Sequence, residues 1–145
     1  MNKNIPDIFN LLQEIALHFG NHGINGECCG DLSLIEFMAL KKVNEKSSLS
    51  IQEIGTAINF TKSGATRIID RLEDKGYVIR ERSLEDARIC CVTLTAGGRK
   101  TISNILDKYT VYINEVLKNL DPQMVDAIKD ALDVLVKSVQ QHEFI

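Results

Sequence analysis

The apolar residues of the N-terminal segment recur every three or four positions, which predicts an amphipathic helix over residues 6–19. Residues 20–31 contain four glycines and are predicted to form a loop. Residues 34–43 are apolar on most sides, and Ser33 and Glu36 match a capping box at the start of this segment. We therefore expect a second helix that is largely buried.

The middle of the chain predicts two short helices joined by a tight turn. Ser50 and Glu53 match a second capping box and begin a helix over residues 51–58. Thr61 is placed to cap the next helix, residues 62–75. Apolar residues on this helix are spaced so that they share one inward face: Ala65, Ile68, Ile69 and Leu72. The two helices together predict a helix-turn-helix.

A β-hairpin and two further helices are predicted in the C-terminal half. Residues 77–82 and 88–94 are expected to form its two strands, with a charged loop between them. Thr95 is placed to cap a long amphipathic helix, and Asp121-Pro122 begins the last helix.

These elements predict a mainly α fold with a small β-hairpin wing. We expect one domain over residues 1–145, with a winged helix-turn-helix at about 32–95. The remaining helices, at about 5–19 and 96–142, carry apolar stripes for which a chain of this size has no second core. We expect these helices to pack against a second copy of the chain as dimerisation helices.

Composition and charge narrow the function classes. No apolar run approaches the roughly 20 residues of a membrane span, and the N-terminus lacks a secretory pattern, so we expect a cytoplasmic protein. The sequence shows no Ser-His-Asp set, no paired catalytic acids and no phosphate loop, so we expect no enzymatic activity. The net charge is −3, but residues 62–88 carry seven cations against six acids. This charge leaves open an alternative, a winged-helix module that binds proteins and not DNA.

The segment IIDRLEDKGYVIRERSLEDARICCVTLTAGG resembles the MarR (multiple antibiotic resistance regulator) family of transcription factors. The resemblance covers nearly the whole chain in element order. Its motifs are Asp70-Arg71-Leu72 with Gly76 at the end of a helix, Arg80 in the first wing strand, Asp86 to Arg88 at the wing tip, and Leu94-Thr95 before the long helix. The resemblance implies a homodimer with interlocking terminal helices that binds a pseudo-palindromic operator, often as a repressor.

The resemblance also implies roles for individual residues. Arg88 would enter the minor groove, and Asp86 would orient it. Arg80 and Asp86 would support the wing. Apart from the resemblance, in a compact structure either Arg71 or Arg80 can pair with Asp70 or Asp86 and contribute to the architecture instead of binding DNA. Gly64 departs from the family's usual helix start, costs up to about 1 kcal/mol of helix propensity, and permits close approach to DNA or to a neighbouring helix.

The outward face of the second helix of the helix-turn-helix suits contact with DNA. Within a winged unit we favour DNA contact over a merely solvated helix face. The predicted DNA-binding residues are Thr61, Lys62, Ser63, Thr66, Arg67 and Arg88.

The cysteines allow a sensing role or a structural one. Cys28 and Cys29 are adjacent thiols in the glycine-rich loop, where a soft metal ion or an oxidant can act. Side chains near in sequence can complete a metal shell: Glu27, Asp31, His18 and His22. The structural interpretation is favoured, and no cofactor is required.

The second cysteine pair lies in the wing. Cys90 alternates with Val92 and Leu94 and is expected to be a small buried hydrophobe, whereas Cys91 faces the other way and is partly exposed. The sequence as a whole predicts a homodimeric DNA-binding regulator, a repressor released by a small molecule, a metal or oxidation.

Overall fold

A computed structural model describes residues 1–20, 29–86 and 88–142 of the chain. His22, Glu27, Cys28 and Ala87 therefore lie outside the described residues. The elements are α1 (Ile5–Gly20), α2 (Leu34–Lys46), β1 (Leu49–Ser50), α3 (Ile51–Ile58), α4 (Lys62–Asp74), β2 (Val78–Arg82), β3 (Cys90–Leu94), α5 (Ala96–Leu117) and α6 (Pro122–Gln140). The predicted mainly α fold with a hairpin wing is confirmed.

The sheet has one more strand than the hairpin predicted from sequence. Its order is β1-β3-β2, and both pairings are antiparallel. In the hairpin Val78 lies opposite Leu94 and Arg80 opposite Val92, while Leu49 of β1 lies on the other side of Val92. Strand β1 has two residues, too few to show an alternating pattern.

The core lies within the winged unit, residues 29–94, and continues into the first half of α5. Its largest fully buried side chains are Leu32, Leu40, Ile54, Ile68, Ile69, Leu72, Val43, Val78 and Val92. Each side chain of this size contributes about 1.5–3 kcal/mol when it is fully removed from water. The two predicted capping boxes are both formed, by Ser33 with Glu36 and by Ser50 with Glu53. The winged unit is therefore held by its own packing and its own helix caps.

The start of α5 is fixed against the base of the wing. Thr95 caps the helix as predicted, because its Oγ accepts the Gly98 amide at 3.0 Å, and it also donates to the Gly76 carbonyl at 2.6 Å. A Cβ on Gly98 would lie 2.1 Å from the carbonyl oxygen of Tyr77. Only glycine allows this close approach of helix and strand.

The chain falls into two compact units, Met1–Leu106 and Asp107–Ile145. The second unit contains the end of α5 and all of α6, which begins at Asp121 and Pro122 as predicted, although the Asp121 side chain makes no cap hydrogen bond. Neither α1 nor α6 has a buried residue. Among the residues described, no helix has the length and apolar character to cross a membrane.

Candidate nucleic-acid interface

The turn into α4 is shaped by Thr61 and Gly64. The Oγ of Thr61 accepts the Gly64 amide at 3.1 Å and lies 3.2 Å from the Ser63 hydroxyl, so Thr61 is the helix cap. A Cβ on Gly64 would lie 3.0 Å from a ring carbon of Phe60. The close neighbour of Gly64 within the chain is thus a ring in the turn, and not another helix.

The outward face of α4 presents polar side chains, as the sequence predicted. Lys62, Ser63 and Arg67 are exposed, and Thr66 is half-buried with its hydroxyl donating to the Lys62 carbonyl at 2.9 Å. The opposite face is inside the core, where all four predicted apolar residues are buried. The helix is therefore anchored on one face and open along the other.

One flank of this open face is held by the wing. Arg80 of β2 donates to Asp70, and its Nη1 lies 2.7 Å from Oε1 of Glu73. The hydrogen bond to Asp70 raises the pKa of Arg80, burial opposes this, and the charges of Glu73 and Asp70 add to the rise. The predicted pairing of Arg80 with Asp70 is present, and Glu73 is a second partner that sequence reasoning missed. Its spacing from Asp70, one turn along the helix, is the signal that could have found it.

The other flank is held by α2. Glu36 is buried at 4% exposure, and its Oε1 accepts the Ser33 amide at 2.8 Å and lies 3.4 Å from Lys75 Nζ. Its Oε2 lies 3.3 Å from Nε of Arg71. Burial raises the pKa of Glu36, but the hydrogen bonds from Ser33 and the charge of Lys75 outweigh it, and the net shift is downward.

Arg71 is a correction to the sequence prediction. It contacts Glu36, not Asp70 or Asp86. Asp70 forms an ion pair with Arg80, and Asp86 forms one with Arg88, so both acids already have cationic partners. Sequence reasoning gave Glu36 only a capping role; its second role was signalled by an acid placed within an otherwise apolar helix.

The wing tip holds Arg88 in a defined position. Its side chain is 90% exposed, yet Nε and Nη2 each donate to the Asp86 carboxylate at 3.1 Å, and the Arg88 amide donates to the same group at 3.0 Å. The hydrogen bonds from Arg88 lower the pKa of Asp86. The carboxylate therefore orients an otherwise unsupported guanidinium.

A polar cluster joins the segment before α2 to the base of the wing. The Tyr77 hydroxyl lies 2.9 Å from both carboxylate oxygens of Asp31, and Thr101 of α5 is a second hydrogen-bond partner of the same hydroxyl. Lys75 donates to the Asp31 carbonyl. Burial and Asp31 raise the pKa of Tyr77 against an opposing effect of Thr101.

The residues considered for effector binding are only partly described. Cys29 is buried and pairs its backbone with that of Leu32, His18 is exposed near the end of α1, and the Asp31 carboxylate faces Tyr77. In the described parts of the chain, no group of three potential metal ligands comes together.

Cys90 is half-buried, not buried as predicted: it lies opposite the exposed Arg82 in the last pair of the hairpin before the wing loop. Cys91 is also half-buried, in agreement with the partial exposure expected for it.

The arrangement of a capped helix-turn-helix, an exposed α4 face and an arginine at the wing tip matches a known family. The profile of the MarR family matches residues 32–90. This chain belongs to the MarR family. The family places it among winged helix-turn-helix transcription regulators.

Individual relatives agree with the MarR assignment. The transcriptional regulator PapX of Escherichia coli is 34% identical over 102 residues, which span 70% of this chain and 58% of PapX. A MarR family protein from Bacillus stearothermophilus has a TM-score of 0.80 at 22% identity, with 95% of this chain and 97% of that chain covered. FabT of Streptococcus pneumoniae, solved in complex with DNA, has a TM-score of 0.71 at 19% identity, with 97% and 95% covered. These relatives do not favour the alternative of a protein-interaction module.

Proposed function

We propose that this chain is a homodimeric transcriptional regulator that binds double-stranded operator DNA through α4 and the wing. In this proposal it represses adjacent genes until a small molecule, a metal or an oxidant releases it. The observation that carries the proposal is the distribution of cations around α4.

Most of the cations at the C-terminal end of α4 and in the first wing strand are engaged inside the protein. Arg71 and Lys75 contact Glu36, and Arg80 contacts Asp70 and Glu73. Lys62 and Arg67, in contrast, form no ion pair with any described residue and lie on the exposed face of α4. Two uncompensated cations, Lys62 and Arg67, therefore lie on the face of α4 that suits DNA.

This surface fits the geometry of a recognition helix. The N-terminal turns of such a helix meet base edges in the major groove, and these turns carry Lys62, Ser63, Thr66 and Arg67. Thr61 contributes by capping the helix, and its hydroxyl is at the edge of the same surface. Arg88 extends from the wing tip, where an arginine can enter the adjacent minor groove.

The dimer in this proposal is formed by α1, α5 and α6. Apolar side chains on α1 and α6 are exposed in the single chain, among them Ile8, Leu11, Ile15, Leu132 and Val139. A second copy would cover them and would place two α4 helices at the spacing of successive major grooves, about 34–36 Å.

The signal acts in this proposal by favouring a dimer geometry that no longer fits the operator. The loop containing Cys28 and Cys29, with Glu27, His18 and His22 nearby in sequence, is one place for a soft metal or an oxidant to act. A Cys28→Ser variant tests this role: operator release by zinc, cadmium, arsenite or peroxide should be lost, and Cys91→Ser serves as a control. A wild type that ignores all four reagents points to an organic effector.

The DNA-binding proposal is tested with a duplex selected from a random library by the full-length protein. Arg67→Ala and Arg88→Ala should each weaken binding by about 1–3 kcal/mol, the contribution of a good base contact. Lys62→Ala should reduce the slope of log affinity against log salt by about 1 if Lys62 contacts phosphate.

Lys129→Ala is the matched control, because it removes one exposed cation from α6. If both arginine variants bind the selected duplex as tightly as the wild type does, the placement of the interface is wrong. Failure of the wild type to select any duplex would remove the proposed function itself.

A further inference from the structure

Glu36 is the one buried charged residue among those the structure describes. Both of its cationic partners, Arg71 and Lys75, lie at the C-terminal end of the recognition helix and one turn apart. Residues four apart share a helix face, so Glu36 contacts a single flank of α4. Arg71 is also one turn beyond Arg67, next to the surface proposed to meet DNA.

A contribution to folding stability does not explain well why a buried glutamate occupies position 36. Oε2 of Glu36 is buried and accepts no hydrogen bond from any described residue, because the Arg71 contact at 3.3 Å lacks hydrogen-bond geometry. A buried carboxylate is costly to desolvate, and such pairs contribute little net stability compared with apolar replacements. A role in positioning gives a reason for an acid at this place.

Without Glu36, two cations would border the open face of α4. The Arg71 side chain is already 55% exposed, so its guanidinium needs little movement to reach solvent. Cations at that position would reach DNA phosphates, which strengthen binding to any sequence and carry no sequence information.

We propose that Glu36 is a positioning residue that sets the sequence discrimination of the recognition helix. It fixes one flank of α4 to α2 and keeps Arg71 and Lys75 away from the DNA backbone. The inference rests on the proposed function, because it concerns how α4 reads DNA. Arg80 holds the opposite flank through Asp70 and Glu73, so the two contacts together fix the rotation of α4 about its axis.

The test is Glu36→Gln in the full chain, which keeps the side-chain shape and an oxygen that can accept the Ser33 amide. Glu53→Gln is the matched control: Glu53 occupies the same place in the capping box of α3, is exposed, and forms no ion pair with the described residues. Affinities for a selected operator and for a scrambled duplex of equal length are measured by fluorescence anisotropy at several salt concentrations.

We expect Glu36→Gln to lower the ratio of operator affinity to scrambled-duplex affinity by about fivefold or more, as for a weakened base contact. Its salt slope on scrambled DNA should steepen by about 1 to 2, since one or two released cations reach phosphates. In Glu53→Gln the ratio should stay at the wild-type value. A loss of folded protein alone would reduce both affinities in proportion and would leave the ratio unchanged.

The outcomes separate the inference from the proposed function. A wild type that prefers its operator, with an unchanged ratio in folded Glu36→Gln, overturns the inference alone; a wild type without any preference overturns both. If Glu36→Gln does not fold, the inference is tested with Arg71→Met instead. This variant should leave the affinity for the scrambled duplex, and the salt slope of that affinity, unchanged. A slope reduced by about 1 would show that Arg71 already contacts phosphate, and would overturn the proposal.

Discussion

The winged unit, α1 and α6 all carry apolar stripes, but of the three only the winged unit buries its stripe within the chain. Ile68, Ile69 and Leu72 of α4 are at most 1% exposed. On α6, by contrast, Leu132 is 46% exposed and no residue is buried. The two helices therefore differ in whether the chain covers their apolar stripe, although both stripes have helical spacing.

The difference indicates that the two regions have separate sources of stability. The winged unit gains its stability from a core of its own, as expected for a unit that must present α4 in a fixed orientation. The apolar stripe of α6 lacks such a core and is exposed in the single chain, which supports the proposal that a second copy covers it. The following predictions test this contrast.

The largest effect is expected from a charge in the proposed dimer interface. Leu132→Asp places a carboxylate on the apolar stripe of α6 and should convert a dimer into a monomer, because an unpaired buried charge costs several kcal/mol. Light scattering coupled to size exclusion measures the change. Val134→Asp is the control, since Val134 lies on the opposite side of α6 at 65% exposure. A folded wild-type monomer at micromolar concentration would contradict the prediction.

A cavity in the winged unit should have the next largest effect. Ile69→Ala removes a fully buried side chain from α4, and the lost contacts and the cavity should lower the free energy of unfolding by about 2–5 kcal/mol. Val134→Ala on α6 should change it by less than about 0.5 kcal/mol, as for most surface substitutions. Urea unfolding at one protein concentration compares the two variants. Equal losses would mean that the contrast between the regions is wrong.

Whether a feature of the fold could be predicted from the sequence depends on how far apart in the chain the residues that form it lie. The bounds of α3 and both capping boxes followed from residues within one turn of each other. The pairing of β1 with β3 and the contact of Glu36 with Arg71 join residues far apart in the chain. No local pattern encodes such contacts, so they became visible only when the fold brought the segments together.

The same distinction holds within the candidate site. The outward face of α4 was predictable because its apolar residues define the inward one. Which basic residues form ion pairs and which stay exposed was not predictable in full. Arg71 and Lys75 pair with an acid of α2, which is far away in sequence, and the pairs of Arg80 depend on how β2 packs against α4. Arg80 of β2 contacts Asp70 and Glu73 of α4, whereas Arg71 of α4 contacts Glu36 of α2.

A smaller effect concerns acid stability of the winged unit. The pKa of Glu36 is lowered in the folded chain by Ser33 and by Lys75, which faces it together with Arg71 from α4. A lowered folded-state pKa contributes stability above the usual glutamate value of about 4.3, and this is lost as pH falls through the lower folded value. Glu36→Gln should therefore flatten the pH dependence of the urea midpoint below about pH 4.3. Parallel curves for wild type and Glu36→Gln would contradict this assignment.

The smallest expected effect lies at the cluster that joins Asp31 to the base of the wing. Tyr77→Phe removes a hydroxyl that is hydrogen-bonded to Asp31 and Thr101 while keeping the ring. The loss should cost about 0.5–1.5 kcal/mol, the net contribution of a typical hydrogen bond, measured by urea unfolding. Thr101→Val, which removes the second partner of the hydroxyl, should have little further effect in the Tyr77→Phe background. A double variant that loses the full sum of the two single effects would show that Tyr77 and Thr101 act independently, so that the wing base and α5 are not coupled through this hydroxyl.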